Sequence, residues 1–274
     1  MTTIILITAI FAFTIAFILG NALGFFGQVF AVPVNPKVQS IRDALPGANC
    51  GACGFPGCEN YAEAVVAGNA PGTACTVGGK TAADKIAVIT GVAGGEVLQK
   101  VSVLVCQGSS MHTPLKGNYT GIQTCRGAKL SSGGTKLCSW GCLGFGDCVK
   151  VCKFDALSMN DKNLPRVNFA KCTGCRLCIA ECPQGLFKNM RTDQKGAMVL
   201  CSNLNPIKQM VSKTCKIACI KCGLCVKNCP QQCISMENNI PVVDLSKCNS
   251  CGTCREKCPP KVFKIIEKDI FKTC

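Results

Sequence analysis

The first stretch of the chain carries no charge at all. From Thr3 to Phe30 the residues are apolar apart from Thr8, Thr14, Asn21, Gln28 and scattered glycines, and the first charged side chain is Lys37. A bilayer core needs about 20 helical residues, so this segment predicts a membrane-spanning helix. A cleaved signal peptide fits less well, because no basic residue precedes the run and the run is too long. Gly20 and Gly24 form a GxxxG pair, readable as a helix-packing face or as glycine tolerated against lipid. Lys37 and Arg42 follow the span with nothing basic before it. That asymmetry puts the bulk of the chain on the cytoplasmic side of the cytoplasmic membrane.

Beyond the span the pattern breaks into short elements. VPVNPK, residues 32–37, reads as a stiff linker with two prolines. Residues 58–67 read as a short helix stopped by Gly68, and ADKIAVITGV after it closes that unit. VSVLVC, residues 101–106, predicts a buried strand, and SSGG at 131–134 a loop. The segments VSVLVCQG and GAMVLCSN echo each other faintly, at different distances from the cysteines that follow.

Composition sharpens this picture. The chain has 274 residues and 26 cysteines, but only 2 Tyr and 1 Trp, so an ordinary core is thin beyond the N-terminus. It is too long for a small disulfide-stapled domain, and its cysteines sit two or three residues apart, as metal ligands do. Bound clusters are therefore expected to supply the nuclei around which short segments fold.

The cysteines repeat. Cys138, Cys142, Cys148 and Cys152 recur with identical spacing as Cys215, Cys219, Cys225 and Cys229. Cys172, Cys175, Cys178 and Cys182 recur in the same way as Cys248, Cys251, Cys254 and Cys258. Three runs, at 172–183, 219–230 and 248–259, spell C-x2-C-x2-C-x3-C-P, the bacterial ferredoxin signature, in which the fourth cysteine ligates the neighbouring cluster. Zinc is the competing reading. The crossing rule groups Cys219, Cys222, Cys225 and Cys258, then Cys248, Cys251, Cys254 and Cys229, then Cys172, Cys175, Cys178 and Cys152. The remaining set, Cys142, Cys148 and Cys182, is one ligand short, because Phe145 stands where the repeat has Cys222. Cys138, one helical turn before Cys142, is the expected fourth ligand, with Phe145 as an apolar wall; a three-iron cluster is the alternative.

Upstream, Cys50, Cys53, Cys58 and Cys75 form a further set with Gly51, Gly54 and Gly57 between the first three. Those glycines let the backbone approach closely, and a zinc knuckle is the alternative there. Five [4Fe–4S] clusters are expected in all. Cys106, Cys125, Cys201, Cys215, Cys233 and Cys274 are left over. They are expected as small buried apolar residues, with a sixth cluster on Cys106, Cys125, Cys201 and Cys215 as the other reading.

The expected fold class is α+β. It comprises a transmembrane anchor at 1–31, a small 4Fe–4S domain at 32–96 and a connecting segment at 97–134. Two tandem bacterial-type 2[4Fe–4S] ferredoxin-like units follow at 135–200 and 201–274. The formal charge of +15 falls to about +5 once five clusters of charge −2 are counted. With no nucleic-acid motif present either, no nucleic-acid partner is expected. There is no G-x-G-x-x-G between strand and helix, no P-loop, and one histidine cannot serve a catalytic triad. The chemistry indicated is electron transfer.

The apolar anchor, LPGANCGACGFPGC with Cys75, and CLGFGDCVKVCKFDAL followed by CTGCRLCIAECP together resemble the B subunits of the Rnf family, the membrane-bound ion-translocating ferredoxin:NAD+ oxidoreductases. The resemblance implies an iron–sulfur subunit of a translocase that takes electrons from reduced ferredoxin. It implies transfer to membrane-embedded and flavin-bearing subunits, with NAD and ion sites on other chains. A stand-alone polyferredoxin carrier, or a redox partner related to corrinoid iron–sulfur proteins, is the alternative. The second ferredoxin unit and Lys153 after Cys152 depart from shorter members of the family.

Overall fold

A computed structural model describes residues 2–30, 35–92, 95 and 97–270. Helix α1 (Thr2–Val29) is continuous and its side chains are exposed along nearly its whole length. Its 28 residues extend about 42 Å at 1.5 Å per residue. One helix among the described residues, Thr3–Val29, is long and apolar enough to cross a membrane. Residues 31–34, which include half of the expected linker, lie outside the described residues. Its other half begins α2 (Pro36–Ala44), where Asn35 caps the Lys37 amide at 3.0 Å and Pro36 occupies the first turn.

Helices α2, α3 (Cys58–Val66) and α4 (Gly79–Thr90) form the N-terminal domain. Val38 and Ile41 from α2, Tyr61 and Val65 from α3, and Ile86 from α4 make one core with Cys75. Tyr61 is fully buried and its hydroxyl donates to the Pro71 carbonyl at 2.8 Å; burial pushes its pKa up to about 12. Helix α3 ends at Val66, with Gly68 left-handed just beyond, as the sequence predicts.

The rest of the chain is two copies of one plan. In the first, β1 (Lys100–Leu104) pairs antiparallel with β4 (Phe187–Arg191), with Val101 opposite Met190. Between them lie α5 (Cys125–Ser132), α6 (Asp147–Lys150), the hairpin of β2 (Leu157–Met159) and β3 (Pro165–Val167), and α7 (Leu177–Glu181). In the second, β5 (Ala197–Val199) pairs with the last strand, β8 (Phe263–Ile265). They enclose α8 (Lys208–Thr214), α9 (Leu224–Lys227), the hairpin of β6 (Ile234–Glu237) and β7 (Ile240–Val243), and α10 (Thr253–Glu256).

The faint echo of VSVLVC and GAMVLC is thus a true structural repeat. Val105 N donates to Leu186 O at 2.8 Å, and Leu200 N donates to Val262 O at the same distance. Each unit therefore starts upstream of the expected boundary, with a strand that the sequence assigns to the preceding segment. A terminal π-helical turn, Ile266–Ile270, sends Ile266 and Ile270 into the core of the first unit. Two-stranded sheets are marginal alone, and both unit cores are completed by cysteines: Cys148, Cys172 and Cys178 in the first, Cys219, Cys225, Cys254 and Cys258 in the second.

Candidate iron–sulfur centres

The cysteine loops share one backbone conformation. In each C-x2-C-x2-C run the residue before the middle cysteine and the residue after it are left-handed: Gly174 and Arg176, Lys221 and Gly223, Ser250 and Gly252. Alternation of this kind folds successive N–H groups into a concave nest for an anion. The run with Phe145 keeps the same pair, Gly144 (φ 88°) and Gly146 (φ 78°). The loop is therefore intact, and only its side chain differs.

The structure brings Cys142, Cys148 and Cys182 together in one cavity, and the fourth cysteine on its wall is Cys125. Cys138, the expected fourth member, lies elsewhere. Cys125 opens α5, which is held by its caps. Thr124 Oγ1 accepts from Gly127 N at 3.0 Å, and the buried Asp147 carboxylate accepts from Cys125 N at 2.7 Å. That ties α5 to the loop it completes. The Phe145 ring meets Tyr119 edge-on, with centroids 5.8 Å apart, while Leu143, Met159 and Leu186 are apolar walls of the cavity. Burial, then Cys142, Cys125 and Cys182, push the Cys148 thiol up to about 12. Burial raises Cys125 and Cys142 as well, and a cationic iron core would favour their thiolates.

The other expected sets also assemble. Cys50, Cys53, Cys58 and Cys75 line one cavity, where Gly78 N donates to Cys75 Sγ at 3.3 Å and Asn49 Oδ1 accepts from Cys58 N at 2.8 Å. Cys219, Cys222, Cys225 and Cys258 line another. Burial pushes Cys178 up to about 11, and Cys172, Cys175 and Cys152 crowd around it. Burial pushes Cys254 up to about 12, with Cys248, Cys251 and Cys229 as its thiol neighbours. Cys233, expected as a small buried residue, is buried with its Sγ 3.5 Å from Cys229 Sγ. Cys274 lies outside the described residues.

These donor sets fit an iron–sulfur cubane. A tetrahedral zinc site would draw its thiolates to about 3.8 Å of one another, given Zn–S bonds of about 2.3 Å. Among the described residues no three Cys, His, Asp or Glu side chains close on a single ion. The cysteines instead stand apart around a common space, four to each cavity. A [4Fe–4S] cluster bound there supplies a one-electron couple; the chain supplies thiolates, amide donors and apolar walls that exclude water.

Neighbouring sets touch. Arg176 donates to Ala52 O and Lys153 Nζ to Ala48 O, each at 3.1 Å. These bonds hold the N-terminal domain against the Cys172–Cys178 loop, where Cys50 is close enough to raise Cys175 further after burial has done so. Cys178 in turn is a neighbour of Cys148.

Family models match the chain in the same places. One described as a putative Fe–S cluster covers residues 45–77. A 4Fe–4S dicluster domain covers 137–186 and again 218–262, and a second 4Fe–4S dicluster model covers 171–234. Fold, cysteine sets and matched models together define an iron–sulfur protein of the ferredoxin-like class. The chain is 40% identical over 231 residues, 84% of its length, to the B subunit of the Na+-translocating ferredoxin:NAD+ oxidoreductase complex of Acetobacterium woodii, covering 69% of that protein. It is 40% identical to the B subunit of the proton-translocating ferredoxin:NAD+ oxidoreductase complex of Clostridium ljungdahlii, over 91% of this chain and 87% of that one. It is 36% identical to the B subunit of the ion-translocating oxidoreductase complex of Methanosarcina acetivorans, over 86% and 89%. The chain belongs to this family of Rnf B subunits.

Proposed function

We propose that the chain is the membrane-anchored electron relay of an Rnf-type complex, accepting electrons from reduced ferredoxin and passing them to membrane-embedded and flavin-bearing subunits. The observation that carries this is the succession of neighbouring four-cysteine sets running from the N-terminal domain through the first ferredoxin unit. Five [4Fe–4S] clusters occupy the sets Cys50/Cys53/Cys58/Cys75, Cys152/Cys172/Cys175/Cys178, Cys125/Cys142/Cys148/Cys182, Cys219/Cys222/Cys225/Cys258 and Cys229/Cys248/Cys251/Cys254. In the third set Cys125 takes the place first expected of Cys138. Helix α1 spans the membrane, and Lys37 and Arg42 keep the cluster domains on its cytoplasmic side.

Electrons enter at the second ferredoxin unit, where Cys222 and Cys251 are the exposed cysteines among those described. They leave through the N-terminal set, which is nearest in sequence to the membrane helix. Exposed Lys227, Lys257 and Lys261 flank the entry, and an acidic ferredoxin meets them with charge complementarity. Lys150, Lys153, Lys171, Lys188 and Lys195 of the first unit are also exposed and add to the general attraction.

The test is anaerobic stopped-flow reduction of the detergent-purified chain by reduced ferredoxin. The second-order rate is expected to fall as salt rises. Changing Lys227, Lys257 and Lys261 together to Glu is expected to slow it about tenfold or more at low salt, whereas Lys171→Glu with Lys195→Glu has a smaller effect. A salt-independent rate unaffected by either set contradicts the docking assignment. Failure of ferredoxin to reduce the chain contradicts the function.

A further inference from the structure

Four cysteines that the five sets leave unused converge between the two ferredoxin units. Cys106 ends the strand segment that opens the first unit, and Cys138 precedes its first cluster loop. Cys201 and Cys215 occupy the same two positions in the second. All four line one cavity, as the cysteines of the ferredoxin-type and N-terminal sets line theirs. Cys106, Cys138 and Cys215 are buried and Cys201 is half-buried, and all four are free thiols.

The cavity is furnished like the cluster sites. Gly108 N donates to Cys106 Sγ at 3.4 Å, Cys219 N to Cys201 Sγ at 3.3 Å, and Asn203 Nδ2 to Cys138 Sγ at 3.7 Å. Gly108 lies against the sulfurs: a Cβ there would stand in contact with Cys215 Sγ at 3.5 Å and Cys106 Sγ at 3.6 Å, and tight against Thr113 Oγ1 at 3.0 Å. The walls are cross-braced between units: Gln107 donates to Ile217 O at 3.1 Å, and Ser202 Oγ to Val105 O at 3.0 Å.

Charge gives an independent sign. Lys136 is 2% exposed, and its Nζ donates to the Gly108 carbonyl at 3.3 Å. Lys221 is buried too, donating to Asn205 O. Among the described ion pairs no carboxylate faces either lysine. Buried cations without an anion are strongly disfavoured. Lys136 sits by Cys106 and Cys142, and Lys221 by Cys201 and Cys219, so each lies at the junction of this cavity with a neighbouring cluster set.

We propose that Cys106, Cys138, Cys201 and Cys215 hold a sixth [4Fe–4S] cluster, which bridges the two ferredoxin units and completes an uninterrupted electron path between them. Each unit supplies two ligands from equivalent positions, and the anionic cluster is the partner of Lys136 and Lys221. An electron gained here is one lost by the adjoining set, with no proton or atom transferred. The family models matched do not extend to Cys106 or Cys125. The proposal rests on the iron–sulfur class alone and not on the identity of the electron donor.

Iron and labile sulfide in the anaerobically purified full-length chain are expected at about 24 atoms each, six cubanes of four. Cys201→Ala and Cys106→Ala are each expected to lower both to about 20 while the other clusters keep their spectroscopic signals. About 20 iron in the unaltered chain, or about 20 iron with one zinc, would overturn the proposal whether or not the variants fold. Retention of all iron in Cys201→Ala and Cys106→Ala would overturn it too.

Discussion

Cys125→Ala is expected to strip one cluster, about four iron atoms, from the first ferredoxin unit, and Phe145→Cys in the same chain is expected to restore it. The two units differ in how they complete one and the same site. In the second unit the middle cysteine of the run, Cys222, itself lines the cavity. In the first, Phe145 occupies that place on a loop whose left-handed residues, Gly144 and Gly146, are preserved. The fourth cysteine on that cavity wall comes instead from a longer connection. The chain from Cys106 to Cys138 is more than twice as long as the equivalent stretch from Cys201 to Cys215, and the extra length carries α5 with Cys125 at its start. Because the loop backbone is already the ferredoxin one, a cysteine at 145 projects where Cys222 does. Cys138→Ala also loses about four iron atoms, but from the site between the units, so Phe145→Cys does not rescue it. Iron analysis with EPR of the four variants reads the difference; rescue of Cys138→Ala by Phe145→Cys would reverse the assignment.

A second large effect is expected from Gly174→Ala. Gly174 is left-handed (φ 65°), and a Cβ there would lie 2.4 Å from the Lys100 carbonyl oxygen. That contact joins the Cys172–Cys175 loop to the first residue of β1, and backbone on both sides leaves little to give. Left-handed strain on a non-glycine residue costs about 1–3 kcal/mol, yet the equivalent Ser250 bears it at φ 61°. The clash, more than φ, makes glycine obligatory at 174. Gly174→Ala is expected to lose β1 docking and the cluster on Cys152, Cys172, Cys175 and Cys178, seen as missing iron and a lower melting temperature. Gly252→Ala, with open space around its Cβ position, keeps full iron and loses about 1–2 kcal/mol from its left-handed backbone. Equal behaviour of the two variants would contradict this.

Local signals in the sequence serve where ligand and loop lie within a few residues. The apolar run, the helix ending before Gly68, the strand at VSVLVC and the N-terminal and three complete ferredoxin-type sets can all be read from spacing. Distance along the chain hides the rest. Cys125 lies far upstream of Cys142 in a segment without any repeat partner, and the Asp147 bond to the α5 N-terminus folds it back onto the loop. The position of Cys138 one turn from Cys142 suggests a shared site, but the chain turns at Gly141 and the two thiols line different cavities. The strand echo is visible yet ambiguous, because the insertion that carries Cys125 spoils its register with the cysteines. Nothing local in the sequence marks Lys136 and Lys221 as the buried lysines they are.

In the proposed function, electrons pass along one connected series of clusters through this chain. A stepwise reductive titration of the anaerobic full-length chain, followed by EPR, tests it most directly. Reversible one-electron reduction of clusters in all three cluster-bearing domains is expected, with broadened signals as neighbouring reduced clusters couple across the junction between the ferredoxin units. Two ferredoxin units that reduce as magnetically isolated pairs, or an N-terminal domain that takes up no electron, would contradict it.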